Sequence, residues 1–132
     1  IGKHRHVRRL GTMALGSSST RRVRSSLRSG TRGGAFEDAQ DPFNGIGAVI
    51  RIRPDGSIPG DNPFADGQEG DPAVWSWGHR NIQSATLGPD GALWTVEHGA
   101  RGGDELNQPE PGVNYGWPVI TYGIDYNGRP VG

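Results

Sequence analysis

Between Gly78 and Pro118 the sequence GHRNIQSATLGPDGALWTVEHGARGGDELNQPEPGVNYGWP gathers chemically capable side chains around one short apolar hairpin. His79, Arg80 and Asn81 stand before the hairpin, and Glu97, His98, Arg101, Asp104 and Glu105 follow it in a glycine-rich loop. Such a loop brings backbone carbonyls, acids and a guanidinium to one end of a sheet. By residue type alone the stretch fits two descriptions. It is a site, or it is a turn-rich connection in which a single histidine is a surface or packed side chain.

The elements that must position these residues are strands. Ile82 to Leu87 has a strand period, and Gly88-Pro89-Asp90-Gly91 reads as a turn in which Pro presets φ, Asp bonds its own backbone and Gly accepts positive φ. Ala92 to Val96 is the return strand, so the two form a β-hairpin. Upstream, Ala48 to Ile52 is a β-branched strand closed by Pro54-Asp55-Gly56, and Ser57 to Pro72 is a long Gly/Pro/Asp loop. Loops of that length are seldom idle. Val74 to Trp77 begins the strand that delivers Gly78 to Asn81 to a loop end, and its tryptophans, with Trp94 and Trp117, stand at strand spacing suited to a core. No helix signal of useful length is present. PDGS and PDGA each sit beside a strand, as repeated turns would.

Composition agrees with a turn-dense, thinly cored β chain: 132 residues include 23 Gly and 10 Pro, and 32% are hydrophobic. The absence of cysteine excludes disulfides and thiolate metal sites. There is no apolar run long enough to span a membrane and no apolar core of a signal peptide. The net charge of +0 conceals a sharp division. Lys3, Arg5, Arg8, Arg9, Arg21, Arg22, Arg24, Arg28 and Arg32 all precede Gly34 with no acid among them, and every Asp and Glu comes later.

Three readings fit residues 1–34. A basic arm would bind nucleic acid or an anionic surface, but no aromatic is interleaved for base stacking and no nucleic-acid-binding fold follows. A linker or tail is the second. The third is a misread frame, which the genetic code can test. Read one base earlier, Thr12 and Met13 each allow His, Tyr, Asn or Asp, and the next codon is forced to Gly. Ser17 to Ser19 then allow Leu, Phe, Ile or Val, and Ser29-Gly30-Thr31 permit Leu-Gly-Asp.

The later motifs resemble those of the soluble pyrroloquinoline quinone (PQQ)-dependent sugar dehydrogenases, the glucose/sorbosone dehydrogenase family, and within it the aldose sugar dehydrogenases. The matching runs are GHRN with Gln83 two residues on, Leu93 to Asn107, and Asn114 to Gly128, preceded by Gly47 to Phe64. The resemblance covers Phe36 to the end. It implies an all-β fold, a six-bladed β-propeller of which this chain supplies about two blades, so the chain is expected to be a piece of a longer protein. Residues 35–132 are then a partial propeller domain and residues 1–34 a non-matching segment. In the shifted frame that segment can spell a family strand whose first His is the general base, near Gly11-Thr12, so no base is expected in the chain as written.

The implied activity is oxidation of an aldose at C1 to its lactone, with hydride passing to PQQ and electrons leaving to an external acceptor. The implied cofactors are PQQ and Ca²⁺. Arg80 and Asn81 fall on the family's cofactor-contacting pair, and a guanidinium suits a quinone oxygen on which reduction builds negative charge. His98 and Tyr126 fall near the cofactor. Gly99 and Ala100 match positions whose backbone carbonyls hold an active-site Ca²⁺; Pro is usual at the second, but a carbonyl ligand tolerates Ala. Glu105 and Tyr115 match a second Ca²⁺ site, with carboxylate and backbone oxygen as hard ligands. The resemblance implies a periplasmic or secreted protein with a sugar substrate, no nucleic acid and no membrane span, and leaves the oligomeric state open. The rival reading is a catalytically silent propeller that binds sugar or protein. The chain as written, without the base, is expected to be inactive alone.

Overall fold

The computed structural model describes residues 20–23, 36–124, 126 and 128–130. The segment that carries the shifted-frame reading, including Gly11-Thr12, lies outside the described residues apart from 20–23. The described residues form six strands and one 3₁₀ turn: β1 (Thr20–Val23), the 3₁₀ turn (Glu37–Gln40), β2 (Val49–Ile52), β3 (Val74–Ser76), β4 (Ile82–Leu87), β5 (Leu93–Glu97) and β6 (Glu105–Asn107). They make two antiparallel three-stranded sheets in simple sequence order, β1-β2-β3 and β4-β5-β6. The expected all-β class is what the structure shows.

The hairpin between β4 and β5 closes as its turn residues require. Gly91 takes φ +79°, its N–H donates to Gly88 O at 2.9 Å and the Gly88 N–H donates to Ala92 O at 2.8 Å. The Asp90 carboxylate accepts from the Ala92 N–H at 3.0 Å. Along β5 the buried row is Leu93, Thr95 and Glu97, with Val96 outward. A strand has a period of two, so the row that carries Leu93 into the core also carries a carboxylate there. The return strand runs one residue later than the spacing predicts, and β6 is a strand where a loop was expected. Its residues Glu-Leu-Asn pair with Glu97 to Thr95 despite their polarity.

Two apolar clusters flank β2. Val49 packs with Ile82 and Leu93 between the sheets, edged by Trp75, Ala85 and Leu87. Ala48 and Ile50 face the other way with Phe64 and Val74, edged by Ala73 and Trp77. The tryptophans at 75 and 77 thus serve the core, as their spacing predicts. The long loop 57–72 has a structural task. Its Phe64 fills the second cluster, and its buried Asn62 donates to Arg51 O at 2.9 Å and Pro72 O at 2.8 Å. That amide fastens both ends of the loop to the strands.

The chain after β3 turns sharply at Gly78, φ +75°. The turn is bonded on both sides: Gly78 N–H donates to Ala39 O at 2.9 Å, His79 N–H to Gly47 O at 2.9 Å, and Trp117 N–H to Gly78 O at 2.9 Å. This junction delivers Arg80 to the mouth between the two sheets.

Candidate functional site

An open cleft lies at that mouth, walled by Arg80, His98, Gly99, Glu105, Tyr115 and Trp117 among others. Five of the residues singled out from the sequence therefore share one cavity: Arg80, His98, Gly99, Glu105 and Tyr115. Asn81, Ala100 and Tyr126 lie beside it. The Asn81 carbonyl accepts from the His98 N–H at 3.0 Å, Ala100 follows Gly99, and Tyr126 meets Arg80. The cleft is open to solvent, so these residues supply the wall of a site rather than a closed chamber.

Arg80 is its centre. Nη1 donates to the backbone carbonyls of His98 at 2.6 Å and Gly99 at 2.8 Å, and Nη2 donates to the Tyr126 hydroxyl at 3.3 Å. The guanidinium carbon lies 5.0 Å from the Trp117 ring centroid and 6.0 Å from that of Tyr126, within reach of cation–π attraction. Trp117 is therefore both packed and part of the site, a dual role that strand spacing alone does not reveal. Its buried indole N–H has no hydrogen-bond partner among the described residues. Tyr126 itself is 63% exposed, so it is a rim residue and not a half-buried strand tyrosine.

Behind Arg80 lies a buried polar relay that residue types did not disclose. Ser76 and His79 are both 0% exposed and Glu97 is 3% exposed. Ser76 Oγ is 2.8 Å from His79 Nε2, and His79 Nδ1 is 2.6 Å from Glu97 Oε1. Glu97 also accepts from Asn107 Nδ2 at 3.0 Å and, through its other oxygen, from the Arg80 backbone N–H at 3.0 Å. Burial alone would push the Glu97 carboxyl up; the His79 hydrogen bond and charge, with Asn107 and the Arg80 amide, outweigh it and hold the group below its ordinary value. The ionised carboxylate only accepts, so His79 Nδ1 carries the proton that faces it. The Tyr115 ring stacks on the imidazole at 4.4 Å. Burial pushes its phenol up, and its hydroxyl donates to Gln108 O at 2.8 Å.

The loop after β5 is rich in oxygen. Gly99 is packed so closely that a Cβ there would strike Gly102 O and come within 2.7 Å of Gly103 O, so only glycine fits this cradle. The Asp104 carboxylate accepts from the Gly99 N–H at 2.9 Å and meets His98 Nδ1 at 3.3 Å. The Gly99 bond first, then His98, lowers the Asp104 carboxyl below its ordinary range. Glu105 accepts from Asn107 Nδ2 at 3.0 Å. Among the described residues no cluster of three or more His, Cys, Asp or Glu is disposed to hold a metal. A cation here would need the backbone carbonyls. Hard carboxylate and carbonyl oxygens are ligands that Ca²⁺ accepts.

A protein-family model described as glucose/sorbosone dehydrogenase matches residues 26–132. The aldose sugar dehydrogenase YliI of Escherichia coli is 47% identical over 91 residues, 68% of this chain and 24% of that protein. The crystal structure of the soluble aldose sugar dehydrogenase of Escherichia coli in its apo form superposes with a TM-score of 0.81 at 36% identity, covering 92% of this chain and 33% of that one. A PQQ-bound aldose sugar dehydrogenase from Streptomyces coelicolor gives 0.63 at 30% identity, over 77% of this chain and 27% of that one. The chain thus spans about a quarter of the length of the curated relative described here.

Proposed function

Because the chain belongs to the glucose/sorbosone dehydrogenase family, we propose that it forms part of a six-bladed propeller enzyme that oxidises aldoses at C1 with PQQ and Ca²⁺ and passes electrons to an external acceptor. The observation that carries this reading is Arg80, a cation held in an open cleft by the carbonyls of His98 and Gly99 and by the Trp117 ring.

The residues present suit a flat, anionic quinone. The cleft wall offers a guanidinium, the Trp117 indole N–H that lacks a partner among the described residues, and an aromatic face. When bound, PQQ would supply the two-electron acceptor. Arg80 would bind and orient an oxygen on which negative charge builds, a role in which a fixed donor acts without reorganising. Asn81 binds Gln83 through its side-chain oxygen at 2.6 Å, which leaves its amide nitrogen as the donor it can offer. His98 would hold its edge of the cleft through Asp104, and Tyr126 would brace the guanidinium from the rim. Calcium would take the carbonyls of Gly99 and Ala100, and a second ion Glu105 with the Tyr115 carbonyl. Arg80 Nη1 donates to the Gly99 oxygen at 2.8 Å, so a calcium ion there would share or displace that bond. The general base would be a histidine that the chain as written lacks, supplied upstream or by the shifted frame near Gly11-Thr12.

Among the described residues no helix is long and apolar enough to cross a membrane. A periplasmic or secreted setting accords with the sugar chemistry. The test uses the full-length protein supplied with PQQ, Ca²⁺, an aldose and a reducible dye. Dye reduction should require both cofactors, and Arg80→Ala should lower the rate by roughly 10²-fold or more, as loss of a donor to developing charge does. A folded protein that binds sugar but neither PQQ nor Ca²⁺ would instead identify a silent, sugar-binding propeller.

A further inference from the structure

The buried relay behind Arg80 has the order of a hydrolytic triad, Ser76–His79–Glu97, but no acyl group can reach a hydroxyl that is 0% exposed. Its contacts lead elsewhere. Three consecutive residues grip the two ends of one arginine. The Glu97 carboxylate takes the Arg80 backbone N–H at 3.0 Å, while the carbonyls of His98 and Gly99 take the guanidinium at 2.6 and 2.8 Å. Glu97 is oriented in turn by the His79 imidazole at 2.6 Å and the Asn107 amide at 3.0 Å, and His79 by Ser76 at 2.8 Å.

We infer that Glu97 and His79 are positioning residues that fix the angle at which Arg80 is presented to the cleft; this rests on the cofactor reading of Arg80 given above. The physical case is one of matched donors and acceptors. Glu97 receives three N–H groups on two acceptor-only oxygens, and charge-assisted bonds of this kind are short and directional. A buried carboxylate is costly unless fully bonded, so its three donors and it constrain one another. Calcium at the Gly99 carbonyl would leave the Glu97 bond to the Arg80 backbone untouched, so the anchor acts on the main chain.

The experiment compares full-length wild-type protein with Glu97→Gln, Asn107→Ala and the control Leu93→Val, which opens a cavity on the same strand without touching the relay. PQQ affinity is measured by titration, melting temperature by calorimetry, and the Arg80 amide and His79 ring nitrogens by NMR. Glutamine offers one acceptor oxygen and sets an NH₂ against a donor. Either the His79 proton should therefore move from Nδ1 to Nε2 or the Arg80 amide proton should shift upfield. PQQ affinity should fall about tenfold or more in Glu97→Gln, the size expected for a bond to a charged group, and by a smaller factor in Asn107→Ala. Asn107 is a half-buried residue of an edge strand, so that variant decides the matter if Glu97→Gln does not fold. Leu93→Val should lose melting temperature and keep its affinity. Folded Glu97→Gln or Asn107→Ala protein that binds PQQ within about twofold of wild type overturns the inference, as does an equal loss of affinity in Leu93→Val. Wild-type protein that fails to bind PQQ refutes the cofactor reading itself, and the inference falls with it.

Discussion

Two glycines with nearly the same backbone angles should respond very differently to the same methyl group. Gly78 has φ +75° and Gly91 has φ +79°, so alanine at either pays the left-handed penalty, about 1–2 kcal/mol. Their surroundings differ. A Cβ at Gly78 would strike the Asn114 side-chain oxygen and lie 2.7 Å from Gly116 N and 2.9 Å from Tyr115 N, whereas a Cβ at Gly91 meets nothing within 4 Å. The Gly78 contacts include backbone that is itself bonded: Tyr115 N–H donates to Trp77 O at 2.8 Å and Gly116 N–H to Asn114 Oδ1 at 2.9 Å. Overpacking of this kind costs roughly 1–3 kcal/mol more. Gly78→Ala should therefore destabilise by about 2–5 kcal/mol and Gly91→Ala by about 1–2 kcal/mol. Urea unfolding of the two full-length variants measures the gap directly. With slopes of ~1–3 kcal/mol/M, the midpoints should separate by roughly 1 M. Coincident midpoints would show that the 114–116 segment yields freely, and the tight junction described here would be wrong.

Two further outcomes follow from buried polar groups. Thr95 is fully buried and its hydroxyl has no hydrogen-bond partner among the described residues, so the near-isosteric Thr95→Val should stabilise the fold by about 1 kcal/mol; a higher denaturation midpoint supports this, and a lower one refutes it. Because the folded Glu97 carboxyl is held below its ordinary value, its contribution to stability is complete above the unfolded value and is lost as pH falls through the folded one. The melting temperature should fall across that acidic window, and Glu97→Gln should flatten this part of the profile; an unchanged slope would show that Glu97 is not the linked group.

The hairpin and its loop were legible because their signals are local. Gly88-Pro89-Asp90-Gly91 specifies its own turn, and Arg80, His98 and Gly99 flank the hairpin closely in sequence. The relay was not legible, because it depends on pairing. His79 and Glu97 are distant in sequence and meet only because Ile82 pairs with Glu97, with a register shift between Ile82 and Ser84. Nothing in the run Glu97-His98-Gly99 says that its first member points inward; that follows from counting forward along β5 from Leu93 once the hairpin register is known. Strand β6 escaped notice because three residues flanked by Gly, Asp and Pro carry little β-propensity, and the edge of β5 supplies what they lack. His79 could be read equally as a surface or a packed residue until Tyr115 was found stacked on it.

The junction at Trp77 to His79 also governs how this part of the protein can breathe. Its backbone groups bond to Ala39 and Gly47 on one side and to Val113, Tyr115 and Trp117 on the other. The Trp77, Gly78 and His79 amide protons cannot meet solvent without breaking bonds to segments far away in the chain. These amides should therefore exchange with deuterium together, in one cooperative opening shared with Tyr115 and Trp117. The Arg101–Ile124 bridge, made by longer bonds of 3.1 and 3.4 Å, is free to open by itself. Motion at the cleft mouth then belongs to that outer rim, while the backbone that carries the arginine stays fixed on the timescale of local fluctuation.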